Sequence, residues 1–322
     1  MVSQLNLVHG IVACAKVGLG WGPVGTTEAD MRVDFCGVRG STPASGQEFL
    51  RYGGHTSCLA LSHDGERPTL VLDGGTGLRR VTALLDGLPY DGSILLSHLH
   101  WDHVHGLPFF AGGGVAGARV DVWLPSEGDP LTTLARGMSP PHFPIGPEQL
   151  GPGWTFSALA EGRFSTEGFE VLALEIPHKG GRTFGFRVSD ATGSVAYLPD
   201  HAPLELGPGE QGWGALHPAA LELAHEVDLL VHDAQFVAAE FPGVGYLGHA
   251  AVEYALALGE RSGAARVALF HHAPARTDDQ IDTIMAELGR PGVFAAAEDA
   301  TVVLGPRAQR PSGPITPASV PG

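Results

Sequence analysis

The segment Ser97-His98-Leu99-His100-Trp101-Asp102-His103 follows directly on the apolar run Ser93-Ile94-Leu95-Leu96. Three imidazoles and one carboxylate thus stand together in the pattern HxHxDH at the exit of a buried strand. Histidine nitrogens suit zinc, manganese or iron, and a neighbouring carboxylate completes a borderline-to-hard ligand set. In an extended segment His98 and His100 point to the same side, so both reach one ion. Asp102 and His103 come after the chain turns and can reach a second ion beside the first. Polar residues scattered on a surface loop would be the bland alternative. The further histidines and aspartates along the chain argue against it.

One such block cannot fill two coordination spheres. The remaining donors stand at one kind of place, the end of a strand pattern. His178 follows Phe169–Ile176, Asp200 follows Val195-Ala196-Tyr197-Leu198-Pro199, and Asp233 follows Leu229-Leu230-Val231-His232. His271 and His272 follow Arg266-Val267-Ala268-Leu269-Phe270 and compete for one position, with His271, at the immediate strand exit, favoured. Strand ends in a packed sheet lie along one edge, where these groups can converge. Asp200 suits the bridging carboxylate expected between two closely spaced ions.

Short apolar strands with Gly, Pro or Asp at their exits recur at 31–38, 58–62, 69–72, 93–97, 119–124, 170–176, 183–188, 194–198, 228–231 and 266–270. Helices fit best at 77–86, 102–107, 217–225, 249–261 and 278–288, the last two by 3.6-residue apolar spacing. This alternation predicts two sheets packed face to face with helices outside, an α/β layered sandwich. Residues 106–168 interrupt it with Pro108-Phe109-Phe110-Ala111-Gly112-Gly113-Gly114 and Ser139-Pro140-Pro141-His142-Phe143-Pro144, and read as a lid-like insertion. Phe109, Phe110, Phe143 and Trp154 fit either an apolar pocket wall or the core that anchors the insertion. Residues 1–30 read as an N-terminal extension, disordered or upstream of a true start at Met31, and 306–322, rich in Pro, Ser and Gly, as a disordered tail. The intervening 31–305 are expected to form the domain that carries the candidate metal site.

Charge narrows the partners. The formal net charge of −16 repels nucleic acid overall, so no stable nucleic-acid complex is expected. Two metal ions would still draw in a small anion. No apolar stretch approaches the ~20 residues that span a bilayer. Cys14, Cys36 and Cys58 have no metal-binding spacing and read as buried reduced thiols, as in a cytoplasmic protein.

HxHxDH followed by a distant His, a distant Asp and a final His resembles the metallo-β-lactamase fold superfamily over most of 31–305. Leu72-Asp73-Gly74-Gly75-Thr76-Gly77 is similar to the Asp-x-Gly-x-Gly segment that precedes the metal motif there. The resemblance implies a four-layer αββα sandwich and two divalent ions, zinc or manganese. By it His98, His100 and His178 would hold one ion and Asp102, His103 and His271 the other. Asp200 and a hydroxide would bridge them, and Asp73 would orient a ligand histidine.

Three segments resemble the phosphodiesterase branch, which includes cyclic-nucleotide and anti-Pycsar phosphodiesterases and transfer-RNA 3′-processing endonuclease (tRNase Z). They are Val38-Arg39-Gly40-Ser41-Thr42-Pro43 with Arg51-Tyr52-Gly53-Gly54-His55-Thr56-Ser57-Cys58, then Gly248-His249-Ala250, then Val231-His232-Asp233-Ala234-Gln235-Phe236. His55 stands where that group commonly has Asn, and Ala250 where Thr or Ser is usual. The resemblance implies that His249, paired with Asp233, protonates the leaving oxygen, so the candidate catalytic residues are Asp102, His249 and Asp233. Lys179 and Arg182 are candidates for phosphate contact or for solvated surface charge. The expected activity is hydrolysis of a small cyclic nucleotide or related phosphodiester. The alternatives are a tRNA 3′-end endonuclease, another hydrolase of this fold, or a ligand-binding member. Relatives in this branch are often homodimers, and the apolar insertion could serve as an interface.

Overall fold

The computed structural model describes residues 30–305; the N-terminal extension, Cys14 and the Pro-rich tail lie outside them. Fourteen strands form two seven-stranded sheets. The first contains β1 (Met31–Gly37), β2 (Cys58–His63), β3 (Leu70–Leu72), β4 (Asp91–Leu95), β5 (Arg119–Pro125) and β6 (Trp154–Leu159). The second contains β7 (Gly162–Thr166), β8 (Phe169–Glu175), β9 (Phe184–Ser189), β10 (Ser194–Leu198), β11 (Leu229–Asp233), β12 (Val267–Phe270) and β13 (Val293–Ala295). Strand β14 (Thr301–Leu304) returns to the edge of the first sheet beside β1.

Side chains alternate across each strand, and in the inner strands both faces are apolar. Leu59 and Leu61 of β2 face the inter-sheet core, while Cys58 and Ala60 face the outer helices. In β10, Val195 and Tyr197 turn inward and Ala196 and Leu198 outward. The first sheet is covered by α1 (Leu78–Leu84), the single turn α2 (Trp101–Val104) and α3 (Pro130–Ala135). The second is covered by α4 (Pro218–Ala224), the short α5 (Phe241–Val244), α6 (Val252–Ser262) and α7 (Asp278–Leu288). The result is the expected four-layer αββα sandwich.

Each sheet is antiparallel in one half and parallel in the other. Strands β3 to β6 run parallel, as do β10 to β13. Strand β8 also runs with β10, because both are antiparallel to β9. The exits of β8, β10, β11 and β12 therefore lie along one edge.

The expected boundaries shift where side chains take over backbone bonding. The strand expected to reach Ser97 ends at Leu95, and the Ser97 amide donates to Asp73 Oδ1 at 2.7 Å. The helix expected from His249 begins at Val252, because the Ala250 amide donates to Asp233 Oδ2 at 3.1 Å and Ala251 bridges Phe236. The helix expected at 102–107 is one turn long. The helix expected at 278–288 keeps its bounds, set by a Thr277–Gln280 capping box and by Gly289 at φ 51°. The 106–168 segment is woven into both sheets through β5, β6 and β7, and its parts around Pro108 and Phe109 and from Ser126 to Phe143 line a cavity beside the site. Strands β6 and β7 each carry a polar face, Thr155 and Ser157 in one and Arg163 and Ser165 in the other, and so lack the continuous apolar run of the inner strands. Phe110 and Trp154 belong to the core, whereas Phe109 and Phe143 line a cavity.

Phe186 is fully buried between the sheets. Phe186→Ala should lower unfolding free energy by about 3–5 kcal/mol, read from the urea midpoint at constant slope.

Candidate metal centre

The geometry begins with Asp73, at the exit of β3 with φ 63° and no solvent exposure. Its Oδ1 accepts the Ser97 amide at 2.7 Å. Its Oδ2 accepts Ser97 Oγ at 2.9 Å, His103 Nδ1 at 2.7 Å and, from β10 in the other sheet, the Tyr197 hydroxyl at 2.9 Å. Gly75 lets this loop pass under α2, since a Cβ there would lie 2.2 Å from the Asp102 carbonyl oxygen.

These bonds fix tautomers. His103 donates Nδ1–H to Asp73, so Nε2 presents its lone pair. The Ser97 hydroxyl spends its proton on Asp73 and accepts from His98 Nδ1 at 3.0 Å, so His98 Nε2 is likewise a bare acceptor. His178 donates Nδ1–H to the Gly248 carbonyl at 2.7 Å, leaving its Nε2 lone pair free.

All three lone pairs converge on Asp200. His98 Nε2 and His178 Nε2 lie 3.7 and 3.4 Å from Asp200 Oδ2, and His178 Nε2 is 3.2 Å from His100 Nδ1. His103 Nε2 and His271 Nε2 lie 3.0 and 3.2 Å from the other oxygen, Oδ1, and 3.2 and 3.1 Å from Asp102 Oδ2. Two donor sets result, His98–His100–His178–Asp200 and Asp102–His103–Asp200–His271, each with its ligand atoms within 4.8 Å of one another. Asp200 belongs to both, one oxygen facing each.

The test of fit lies in the orphaned atoms. His98 Nε2, His103 Nε2 and Asp200 Oδ1 are buried without a hydrogen-bond partner. Acceptors packed against acceptors are costly unless a cation lies between them. Burial and the neighbouring His103 hold the His98 ring well below the usual imidazole range, in the neutral form that ligates metal. Burial opposes a charge on His103, but Asp200, Asp102 and Asp73 outweigh it and hold that ring well above its usual range. The centre calls for positive charge, and the nitrogen-and-carboxylate donors fit divalent ions.

Beside this centre stands a third cluster, Asp233, His249 and His271. His249 Nδ1 lies 3.1 Å from Asp233 Oδ2. Asp233 is held in turn by the amides of His201 and Ala250, each at 3.1 Å to Oδ2, and of Gln235, at 3.0 Å to Oδ1. Burial pushes the His249 ring down, but Asp233 outweighs it, through its charge and its hydrogen bond, and raises the ring to about 9. An opening of about 390 Å³ is lined by His249 together with His100, Asp102 and Asp200.

Every metal or catalytic residue expected from sequence is thus brought to one edge. His271 enters the centre, while His272 turns away and its Nε2 lies 2.9 Å from the Ala296 carbonyl. His55 lies outside, with Nδ1 at 3.2 Å from Thr76 Oγ1. Neither flanking cation is free: Arg182 donates to Glu175 at 2.8 Å, and Lys179 to the Tyr246 carbonyl. Arg39 is a fully buried clamp, donating to the carbonyls of Gly53 and Arg276, each at 2.6 Å. Sequence reasoning missed Ser41, whose amide donates to Asp102 Oδ2 at 2.7 Å, because an amide leaves no residue-type signal. It also missed Tyr197, which reads as an ordinary strand residue.

Residues 70–272 match the family described as Beta-lactamase superfamily domain. The chain belongs to that superfamily. It is 27% identical over 310 residues to a Ribonuclease Z of Salinibacter ruber (strain DSM 13855 / M31), covering 82% of this chain and 93% of the other. Its fold is similar to the metallo-beta-lactamase fold protein YhfI from Bacillus subtilis, with TM-score 0.64 and 17% identity, covering 86% of this chain and all of that one. It is also similar to a diphosphatase from the PhnP family, with TM-score 0.60 and 16% identity over 84% and 97% of the two chains. Family and donor set together support a metal-dependent hydrolase. Among the described residues no helix is long and apolar enough to cross a membrane, and Cys36 and Cys58 are buried and form no disulfide.

Two variants separate ligation from packing. His271→Ala should lower bound metal measured by elemental analysis, whereas His272→Ala should keep the metal and lower the melting temperature. Asp73→Asn should weaken metal binding roughly 10- to 100-fold in a chelator competition, because His103 loses its orienting acceptor.

Proposed function

We propose that this chain is a dinuclear-metal phosphodiesterase acting on a small cyclic nucleotide or a related small phosphodiester. The observation that carries the reading is the His249–Asp233 pair, 3.1 Å apart, whose His249 lines the same opening as Asp102 and Asp200 while Asp233 is buried behind it. Hydrolysis of a phosphodiester expels an alkoxide that needs a proton, and a histidine held by a carboxylate is suited to give it. The thiolate expelled from a thioester is far less basic than an alkoxide and makes less demand on such a pair.

His98, His100 and His178 would hold one ion and Asp102, His103 and His271 the other, with Asp200 shared. When bound, two divalent ions supply an acidified water and neutralise charge growing on the phosphoryl oxygens. The chain does the rest. Asp73 and Ser97 hold the ligand rings in the required tautomers, and the Ser41 amide fixes Asp102. Asp233, held by three amides, aims His249 Nδ1–H at itself and leaves Nε2 to hold the transferable proton at the leaving oxygen. The ions are proposed to be zinc or manganese; the buried, reduced Cys36 and Cys58 support a cytoplasmic location, and the resemblance to the phosphodiesterase branch supports a homodimer.

A second reading, a tRNA 3′-end endonuclease, is favoured by the similarity to Ribonuclease Z. It uses the same centre and the same proton donor. The net charge of −16 supports the small substrate instead, since a transfer RNA would meet overall repulsion.

Metal-loaded protein should hydrolyse a 3′,5′-cyclic nucleotide faster than precursor transfer RNA. His249→Ala should lower kcat by about 10²- to 10⁴-fold while elemental analysis still finds two ions per chain. Cleavage of precursor transfer RNA alone would favour the second reading. Wild-type rates in the variant would remove His249 from the chemistry.

A further inference from the structure

A cavity of about 1180 Å³ adjoins the metal centre and is much larger than the opening over it. The two share Leu99, His100 and Trp101, so Trp101 stands at the junction between reacting centre and chamber. Trp101 is 68% exposed and Phe109, on the chamber wall, 62% exposed. Each ring is held from one side. Trp101 stacks on His105, centroids 5.7 Å apart and planes within 13°, and Phe109 meets Phe143 edge-on at 5.9 Å. A braced aromatic ring that keeps an open face beside a reacting centre is a stacking surface.

Charge in the chamber limits what stacks there. Its charged lining is Glu127 and Asp129 against Arg136 and Arg182, and Arg182 is already bonded to Glu175. Asp129 caps α3, accepting from the Thr132 amide at 2.8 Å. A wall with no surplus of positive charge offers no track for a row of phosphates. It suits an uncharged planar group attached to the one phosphodiester at the metals.

Building on the phosphodiesterase reading, we propose that Trp101 and Phe109 are specificity residues: their open faces bind the nucleobase of a mononucleotide whose phosphate sits at Asp102, Asp200 and His249. The chamber admits one base-bearing nucleoside and rejects a continuing polynucleotide.

Binding can be read without turnover. Isothermal titration of metal-loaded protein with nucleoside 5′-monophosphates should give affinities that fall roughly tenfold in Trp101→Ala and in Phe109→Ala. Ribose 5-phosphate, which lacks the base, should bind more weakly than the nucleotides and respond far less to either variant. Trp101→Phe and Phe109→Tyr, which keep a ring, should retain most of the affinity. In hydrolysis, the kcat/KM ratio of a 3′,5′-cyclic nucleotide over ribose 3,5-cyclic phosphate should fall in the alanine variants. Ribose 5-phosphate binding as tightly as the nucleotides would overturn the platform, as would nucleotide affinity unmoved in both alanine variants. So would affinity rising with each nucleotide added to an oligoribonucleotide. Ring-dependent nucleotide binding without hydrolysis of any phosphodiester would support the platform and overturn the phosphodiesterase reading instead.

Discussion

One buried carboxylate holds the site together. Asp73 has no exposure to solvent and accepts hydrogen bonds from Ser97, His103 and Tyr197, so a single side chain ties the exits of β3 and β4 to a strand of the opposite sheet. Removing one of these donors leaves part of a buried carboxylate unsatisfied, at a cost of about 1–3 kcal/mol. The same bonds decide which nitrogen of His103 and of His98 carries the proton. Stability and ligand geometry therefore have a common origin.

Strand direction does the rest of the positioning. Because β8, β10, β11 and β12 all end on the same edge, His178, Asp200, Asp233 and His271 arrive together although 93 residues separate the first from the last in sequence numbering. The motif at 98–103 comes from the facing sheet. The centre is thus a seam between two sheets, and Asp200 is its shared member, with one oxygen toward each donor set. Three amides around Asp233 extend this order outward to His249. The loops that overhang the opening are free to differ in size and lining without disturbing the ligands. That separation lets one superfamily core accept many substrates.

Much of this was legible in the residues themselves. HxHxDH fixes its own local geometry, since alternate residues of an extended segment share a side. Apolar runs ending in His or Asp mark strand exits, and the doubly apolar strands of the sheet interior are visible because both faces are buried. Strands β6, β7, β13 and β14 were not, being short or polar on one face, so 106–168 read as an insertion holding the single strand 119–124 rather than three strands with loops between them. Phe109, Phe110, Phe143 and Trp154 looked alike in sequence, yet two entered the core and two the cavity.

The sequence by itself determined the types of candidate donor, their order and the layered fold, because these follow from residue chemistry and periodicity. Only the tertiary structure decided that His271 rather than His272 faces Asp200, that Asp73 reaches across to Tyr197, and that the Ser41 amide supports Asp102. It alone decided that Arg182 is spent on Glu175 while Trp101 keeps an open face. The physical reason is that a ring's direction, a tautomer or an amide's partner depends on groups far away in the chain. Such choices are made by packing and hydrogen-bond satisfaction, which no local pattern of residues encodes.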